Sequence, residues 1–447
     1  MHPACGVCRP DGHTATGERQ IKTCGEDSQM ARKGKVVLAY SGGLDTSVAV
    51  TWIQEQYDLD VITLTIDLGA KKDLEKIRKR ALKVGAVEAL VVDAREVFVQ
   101  YFVWPALQAG ALYERVYPLA TALGRPLIAK LLVDTARQHG AQAVAHGCTG
   151  KGNDQVRFDV GVKTLAPEMQ IIAPAREWGM TREQEIEYAR KNKIEIDVTK
   201  KSPYSTDENL WGRSIECGAL EDPWVEPPED AYLWTSSPSE APAESEHVEI
   251  EFERGIPVAL NGERLGGPDL IERLNEMAGR HGVGRIDHVE NRLVGIKSRE
   301  IYEAPAAVTL HVAHNALESI TMTRPALRFK EHVAQTYADL IYDGLWFSAF
   351  HQDLLAYVLS SQRAVTGTVR MKLYRGQATK AGVRSPVSLY NKSLATYDKG
   401  DEFDHKAALG FIALHGLPTR VQAQAQLGAL APEALRARIM PPELKAK

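Results

Sequence analysis

The stretch that decides the fold is Lys35-Val-Val-Leu-Ala-Tyr-Ser-Gly-Gly-Leu-Asp-Thr-Ser47. Its apolar run, 36–40, reads as a buried parallel strand. The run breaks at Ser41-Gly42-Gly43. Asp45, Thr46 and Ser47 then open a segment with apolar residues at Val48, Trp52 and Ile53, a helical spacing. The order is strand, glycine turn, helix N-terminus. Two glycines let the backbone approach a ligand. The free N–H groups and dipole of a starting helix favour an anion, and Ser41, Thr46 and Ser47 add hydroxyl donors. A phosphate or pyrophosphate suits such a loop. A bare Gly-Gly pair reads as an ordinary connection capped by Asp45. The full Ser-Gly-Gly-x-Asp-Thr-Ser string straight after a strand argues instead for a ligand. The stretch lacks the Gly-Lys-Ser/Thr of a Walker A loop and is not the dinucleotide Gly-x-Gly-x-x-Gly.

Around this stretch, strands and helices alternate. Residues 61–66, 89–92 and 143–145 read as strands, with a further short one at 171–172. Residues 72–84 read as a helix with Leu74, Ile77, Ala81 and Val84 on one face. Helices are also expected over 95–108, 126–139 and 181–192, the last opened by the capping box Thr181-x-x-Gln184. Alternating elements with buried strands predict an α/β fold, a doubly wound parallel sheet with its ligand at the carboxyl ends of the strands.

After about residue 200 the texture changes. Residues 223–246, rich in Pro, Glu and Ser, read as a surface loop. Val248, Ile250 and Phe252 alternate, as do Val369, Met371 and Leu373, the pattern of half-buried antiparallel strands. A helix is expected over 270–278 and long helices over 325–361. The expected organisation is a disordered extension, 1–33, then a nucleotide-binding domain, 34–200, and an α+β domain, 201–415. A C-terminal helical arm, 416–447, follows, with apolar residues at Val421, Leu427, Leu430 and Leu435.

At 447 residues the chain has room for two or three domains. Its 44% hydrophobic and 25% charged residues are ordinary for a soluble globular protein. A net charge of −4 argues against a nucleic-acid surface as the main purpose. No apolar run approaches the roughly 20 residues of a membrane helix. Five cysteines in this length make no disulfide framework, which points to a reducing cytoplasm. Cys5-x-x-Cys8, with His2 and His13, has no second matching pair, so the extension reads as a tail and no metal site is assigned. Met30, just before the first strand, is the expected natural start.

A second ligand loop follows the 143–145 strand: Ala145-His-Gly-Cys-Thr-Gly-Lys-Gly-Asn-Asp-Gln-Val-Arg157. Gly147, Gly150 and Gly152 permit close approach. Thr149, Asn153 and Asp154 offer a hydroxyl, an amide and a carboxylate, and Arg157 a guanidinium fork for a carboxylate or phosphate. The plainer alternative is a surface Asp154–Arg157 ion pair on a glycine-rich turn.

The first loop resembles the pyrophosphate loop of the ATP pyrophosphatases. Both loops together resemble those of the argininosuccinate synthase family. Ala111-Leu-Tyr-Glu, Tyr117-Pro-Leu-Ala-Thr-Ala-Leu-Gly-Arg-Pro126, Asp207-Glu-Asn-Leu-Trp-Gly-Arg-Ser214 and Gly282-Val-Gly-Arg-Ile-Asp-His-Val-Glu-Asn-Arg292 carry the same resemblance. So do Lys297-Ser-Arg-Glu-Ile-Tyr302 and Ser385-Pro-Val-Ser-Leu-Tyr-Asn391. It runs from about Lys35 to past Gly410. The resemblance implies ligation of citrulline and aspartate with ATP and Mg²⁺, through a citrullyl-adenylate, to argininosuccinate, AMP and pyrophosphate. It also implies a cytoplasmic homotetramer that engages neither nucleic acid nor membrane.

By the same resemblance, Ala39, Tyr40, Ser41, Gly42, Gly43, Leu44, Asp45, Thr46, Ser47, Ile66 and Gly147 bind ATP. Thr149, Asn153 and Asp154 bind aspartate, and Asp154 is expected to hold its amine and accept its proton. Tyr117, Thr121, Asn153, Arg157, Ser205, Ser214, Glu290 and Tyr302 hold citrulline or aspartate. Arg157 fits citrulline's carboxylate, and Glu290 or Ser205 its ammonium. The catalytic set is Asp45, Asp154 and Arg157. Some relatives carry a serine after the threonine at 121, where this chain has Ala122. Tyr117 and Tyr302 read equally as core aromatics, and Glu290 as a surface partner of Arg285 or Arg292. Two other readings are weaker. A tRNA thiolase wants paired catalytic cysteines, for which Cys148 and Cys217 are ill suited, and an amidotransferase synthetase wants a glutaminase nucleophile. A nucleotide sensor without turnover is disfavoured by intact Asp45, Asp154, Arg157 and Glu290.

Overall fold

The computed structural model describes residues 32–195 and 204–427. The Cys5-x-x-Cys8 pair, Met30, Leu430 and Leu435 lie outside the described residues.

Five strands form the first sheet: β1 (Gly34–Ala39), β2 (Leu59–Asp67), β3 (Glu88–Asp93), β4 (Ala143–Ala145) and β5 (Gln170–Ile172). Their order is β3-β2-β1-β4-β5 and every pairing is parallel. The unbroken apolar run of β1 has a simple cause. Val36 and Leu38 pack with Ala49, Val50 and Ile53 of α1 (Leu44–Tyr57). Val37, between them, points the other way, among Leu132, Val133, Phe158 and Val162. Both faces are covered, so neither position in the alternation is polar. The doubly wound sheet expected from the sequence is present. Its strand order reverses between β1 and β4, and such a reversal opens a crevice at the carboxyl ends of the strands.

Two helices depart from their sequence signals. The helix expected at 126–139 begins at Ala120 and carries Pro126 inside it. Burial of Ala120, Leu123 and Leu127 holds the turn that the proline would otherwise break. The helix expected at 95–108 is Arg95–Phe98 joined through a π turn, Val99–Val103, to Trp104–Ala109. The capping box at Thr181 is formed, opening the Arg182–Lys191 helix.

Beyond residue 204 two antiparallel sheets appear. One has the order Glu263–Arg264, Ile256–Leu260, Glu246–Glu253, Gly367–Tyr374, Gln377–Arg384. The alternating residues Val248, Ile250, Phe252, Val369, Met371 and Leu373 face one core with the Gly267–Arg280 and Pro305–Thr321 helices.

The other sheet has the order Arg285–Asn291, Lys297–Glu303, Gly212–Glu216, Ser205–Asn209. Tyr302 pairs with Ser214, and Glu290 with Ser298. With period two, Ser214, Glu216, Glu290, Glu300 and Tyr302 therefore share one face. Ile215 and Ile301 take the other, against Leu220 and Ala231. Near the end of the described residues, the His405–His415 helix buries none of its side chains; Leu409, Phe411, Ile412 and Leu414 stand in solvent.

Candidate active site

The first loop emerges from β1 at the strand-order reversal. Gly42 sits at φ +77°, and a Cβ there would lie 2.9 Å from Ile77 Cγ1, so both backbone and space demand glycine. Gly43 is the N-cap of α1 in extended conformation, with no side-chain cap on the helix. The first N–H groups of α1 therefore remain available to an anion. Hydroxyls brace the turn. Tyr40 Oη and Ser47 Oγ lie 2.9 Å apart, Ser41 Oγ and Thr46 Oγ1 3.2 Å apart, and Arg80 Nη1 donates to the Gly42 carbonyl at 2.7 Å.

A cavity of about 290 Å³ opens over this loop. Ala39, Tyr40, Ser41, Gly43, Asp45, Thr46, Ile66 and Gly147 line it; Gly42, Leu44 and Ser47 lie behind the wall. Its other side is apolar, with Leu64, Leu68 and Ile128. A polar anion cradle facing an apolar wall suits a nucleotide: phosphates on one side, base on the other. At its rim, Glu185 of the Arg182–Lys191 helix hydrogen-bonds Asp45. Burial, and then Asp45, push the Glu185 carboxyl up to about 8.

The second loop leaves β4 beside the first and ends in the Asn153–Leu165 helix. A smaller cavity, about 90 Å³, lies between the start of this helix and the four-stranded sheet. Tyr117, Thr121, Asn153, Asp154, Arg157, Ser214, Glu290 and Tyr302 all line it. Thr149 and Ser205, expected at the same site, are exposed and outside its wall.

Tyr117 and Tyr302 stack at 4.1 Å with 12° between their planes, and Tyr117 Oη is 2.8 Å from Thr121 Oγ1. They are more than core aromatics, because both hydroxyls enter the polar network. Glu290 is only 3% exposed and accepts from Tyr302 and from Tyr342, each at 2.6 Å. Neither Arg285 nor Arg292 holds it: Arg285 binds Glu229, and Arg292 binds Glu216 and Glu300.

Asp154 is the hub. Its Oδ1 accepts from Arg157 Nη1 at 3.0 Å and its Oδ2 from Arg125 Nη2 at 2.7 Å. Arg125 also binds Asp207. Burial alone would raise the Asp154 pKa, but Arg125 and Arg157 outweigh it and hold the carboxyl well below the usual range. So held, Asp154 stays ionised but is a weak base while both guanidiniums stay in place, and they already offset much of its charge. This tempers the proton-accepting role expected from the sequence. The expected Arg157 fork is also partly spent. Nε donates to the Tyr342 carbonyl at 2.8 Å and Nη1 to Asp154, while the buried Nη2 has no partner among the described residues. Cys148 is half-buried, and desolvation of its sulfur pushes the thiol up, which makes it a poor nucleophile.

Arg125 and Asp207 line the larger cavity, and Asp154, their neighbour, lines the smaller one. The two cavities thus share a wall made of an ion cluster. Glu216, Glu300 and Arg292 also line the smaller cavity. Burial, and then Glu216, raise Glu300 to about 8. None of Arg125, Asp207, Glu216, Glu300 and Tyr342 was assigned a role from sequence. Glu300 was within reach, since it stands two residues before Tyr302 and must share its face of a strand.

Two family models cover the chain. The arginosuccinate synthase N-terminal HUP domain matches residues 35–195, and the arginosuccinate synthase C-terminal domain matches 204–422. The chain belongs to the argininosuccinate synthase family. Its relatives named argininosuccinate synthase include those of Dehalococcoides mccartyi, 62% identical over 88% of this chain and 97% of the relative. That of Symbiobacterium thermophilum is 60% identical over 89% of this chain and 99% of the relative. That of Brevibacillus brevis is 58% identical over 89% and 95%. The family's two models join where the ion cluster joins the two cavities, since Asp154 belongs to the first and Asp207 to the second.

The raised Glu185 carboxyl has a consequence for stability. The folded chain keeps a proton there that the unfolded chain releases above its ordinary value of 4.5. That contribution is full below about 4.5 and is lost as pH climbs through about 8. Glu185→Gln cannot titrate. Its melting temperature relative to the parent protein is expected to rise between pH 5 and pH 8.5, and a difference that stays constant across that range would contradict the shift.

Proposed function

We infer that the protein ligates L-citrulline and L-aspartate with ATP, giving argininosuccinate, AMP and pyrophosphate through a citrullyl-adenylate. It is a carbon–nitrogen ligase of arginine biosynthesis. The observation that carries this reading is the shared wall: a nucleotide-shaped cavity and a cavity for charged amino acids meet at Arg125, Asp154 and Asp207. Such a meeting place suits transfer of an adenylyl group from one cavity to a nucleophile in the other. The first unit, 34–200, supplies the nucleotide side; the second, 201–415, supplies most of the amino-acid side.

The Ser41–Ser47 turn and the start of α1 receive the pyrophosphate, with the base against Ile66 and Ile128. Citrulline lies on the sheet face of Ser214, Glu290 and Tyr302. Glu290 takes its ammonium, and the unpartnered Nη2 of Arg157 takes its carboxylate. Its ureido oxygen then attacks the α-phosphorus and pyrophosphate leaves. Aspartate binds at Thr149, Asn153 and Asp154. Asp154 anchors its ammonium, and one proton passes from it to solvent. The free amine then attacks the activated carbon; the C–O bond to AMP breaks, and the phosphate leaving group takes up the second proton released by the nitrogen. No protein nucleophile is required, so positioning and phosphate-charge stabilisation do the catalysis.

No group of three or more His, Cys, Asp or Glu suited to a metal occurs among the described residues. Mg²⁺, which needs few protein ligands and binds mostly to phosphates and water, still fits, with Asp45 and Asp67, beside the phosphate loop, among the carboxylates lining the nucleotide cavity. When bound it would neutralise pyrophosphate charge. Among the described residues no helix is long and apolar enough to cross a membrane, and Cys148 and Cys217 are free thiols, which supports a cytoplasmic setting.

With citrulline labelled at the ureido oxygen, the label is expected in AMP, and only when both amino acids and ATP are present; unlabelled AMP would rule out the adenylate. Asp154→Asn is expected to lower kcat/KM for aspartate about tenfold or more while ATP binding persists. A change within about twofold would remove Asp154 from the aspartate site.

The uncovered apolar side chains of the His405–His415 helix, which directly precedes the arm expected at 416–447, support a homotetramer clasped by that helix and the arm together. In sedimentation the full chain is expected as a tetramer, and a chain cut after Gly400 as smaller species. A tetramer that survives the cut would show that another surface holds it.

A further inference from the structure

Tyr342 closes the Arg324–Tyr342 helix, far along the chain from both glycine loops. It is 1% exposed and lines neither cavity. Yet it touches three residues that do line the amino-acid cavity. Its hydroxyl accepts from Asn153 Nδ2 at 2.7 Å and donates to Glu290 Oε1 at 2.6 Å. Its carbonyl accepts from Arg157 Nε at 2.8 Å, and the Arg157 guanidinium lies over its ring, 4.7 Å from the centroid. The ring itself stacks on Tyr113 at 3.5 Å, with 4° between planes.

The direction of these hydrogen bonds is not free. An ionised Glu290 only accepts. Burial, and then the Glu290 charge, push the Tyr342 hydroxyl far up, so it keeps its proton and donates that proton to Glu290. Its lone pair is then left for Asn153, whose amide nitrogen must point at it. The amide oxygen of Asn153 accepts from Leu293 N at 2.9 Å, which agrees with the same orientation. Tyr302 fills the other oxygen of Glu290. With Nε of Arg157 fixed on the Tyr342 carbonyl and Nη1 on Asp154, Nη2 is the donor left without a partner.

We propose that Tyr342 is a positioning residue of the ligation, setting the side chains of Asn153, Arg157 and Glu290 together so that they meet citrulline in one prearranged geometry. It touches no substrate. It acts by holding an amide, a guanidinium and a carboxylate that arise on two separate parts of the chain. Binding sites of this kind lose affinity when the supporting shell is loosened, because the lost order must be restored on each binding event. The inference rests on the citrulline reading given above.

Tyr342→Phe tests it. The variant keeps the ring, its stack on Tyr113 and the carbonyl contact to Arg157, and removes only the hydroxyl. Glu290 loses one donor and Asn153 its acceptor. A hydrogen bond to a charged group is worth enough that KM for citrulline should rise about tenfold or more. KM for ATP should stay within about twofold, and kcat should fall by less than KM rises. A merely structural residue would lower the melting temperature and the active fraction and leave both KM values unmoved; that result overturns the proposal. Tyr113→Phe is the companion. It removes a hydroxyl that donates to the Asn291 carbonyl at 2.7 Å, outside the cavity. If it shifted citrulline KM as far as Tyr342→Phe does, general loosening would be the cause and the assignment would fall. Parent protein assayed alongside separates two failures. No turnover of citrulline there overturns the reaction itself, whereas turnover with an unmoved KM in the Phe variant overturns only the role of Tyr342.

Discussion

Two guanidiniums converge on one carboxylate, and most of the site depends on that arrangement. Asp154 stands in the first turn of the Asn153–Leu165 helix and receives Arg125 on one oxygen and Arg157 on the other. Arg125 extends the cluster to Asp207, which belongs to the four-stranded sheet. The parallel sheet and the antiparallel sheet are thereby tied at the point where their cavities touch. Partly buried charges are costly unless each is matched, and here the cluster leaves Arg125 Nε and Arg157 Nη2 buried without a partner among the described residues. Donors in that state are prepared for an incoming anion.

The two halves contribute by different means. The nucleotide side is made of backbone: a turn that only glycine can take at position 42, and a helix start with no cap from its own side chains. The amino-acid side is made of side chains on one face of a sheet, selected by the period-two alternation of strands. Backbone recognition suits phosphates, whose oxygens are alike. Side-chain recognition suits citrulline and aspartate, whose polar ends differ.

Legibility in the sequence followed the same division. The strand run 36–40 and the Ser-Gly-Gly-x-Asp-Thr-Ser string identify the parallel sheet and its loop, because local chemistry determines them. The alternations at Val248 and Val369 identify antiparallel strands for the same reason. Pro126 inside a helix was not legible, since distant packing overrides its local preference. The start of the helix at Ala120 was missed with it. Most residues lining the smaller cavity were singled out beforehand through long motifs. Thr149 and Ser205 nevertheless stand outside the cavity wall, and the Arg157 fork is largely committed within the protein. Glu216 and Glu300 were within reach of strand alternation from Ser214 and Tyr302, whereas Arg125 and Tyr342 escaped because their importance lies in whom they meet across sheets and helices, and spacing along the chain does not encode that.

Cys148 lies in the second loop, beside the nucleotide cavity that it helps to line. Burial and the nearby carboxylates keep its sulfur as a thiol. Peroxide and alkylating electrophiles react with thiolates, and far more slowly with protonated sulfur. The loop therefore carries a cysteine without inheriting the usual vulnerability of one.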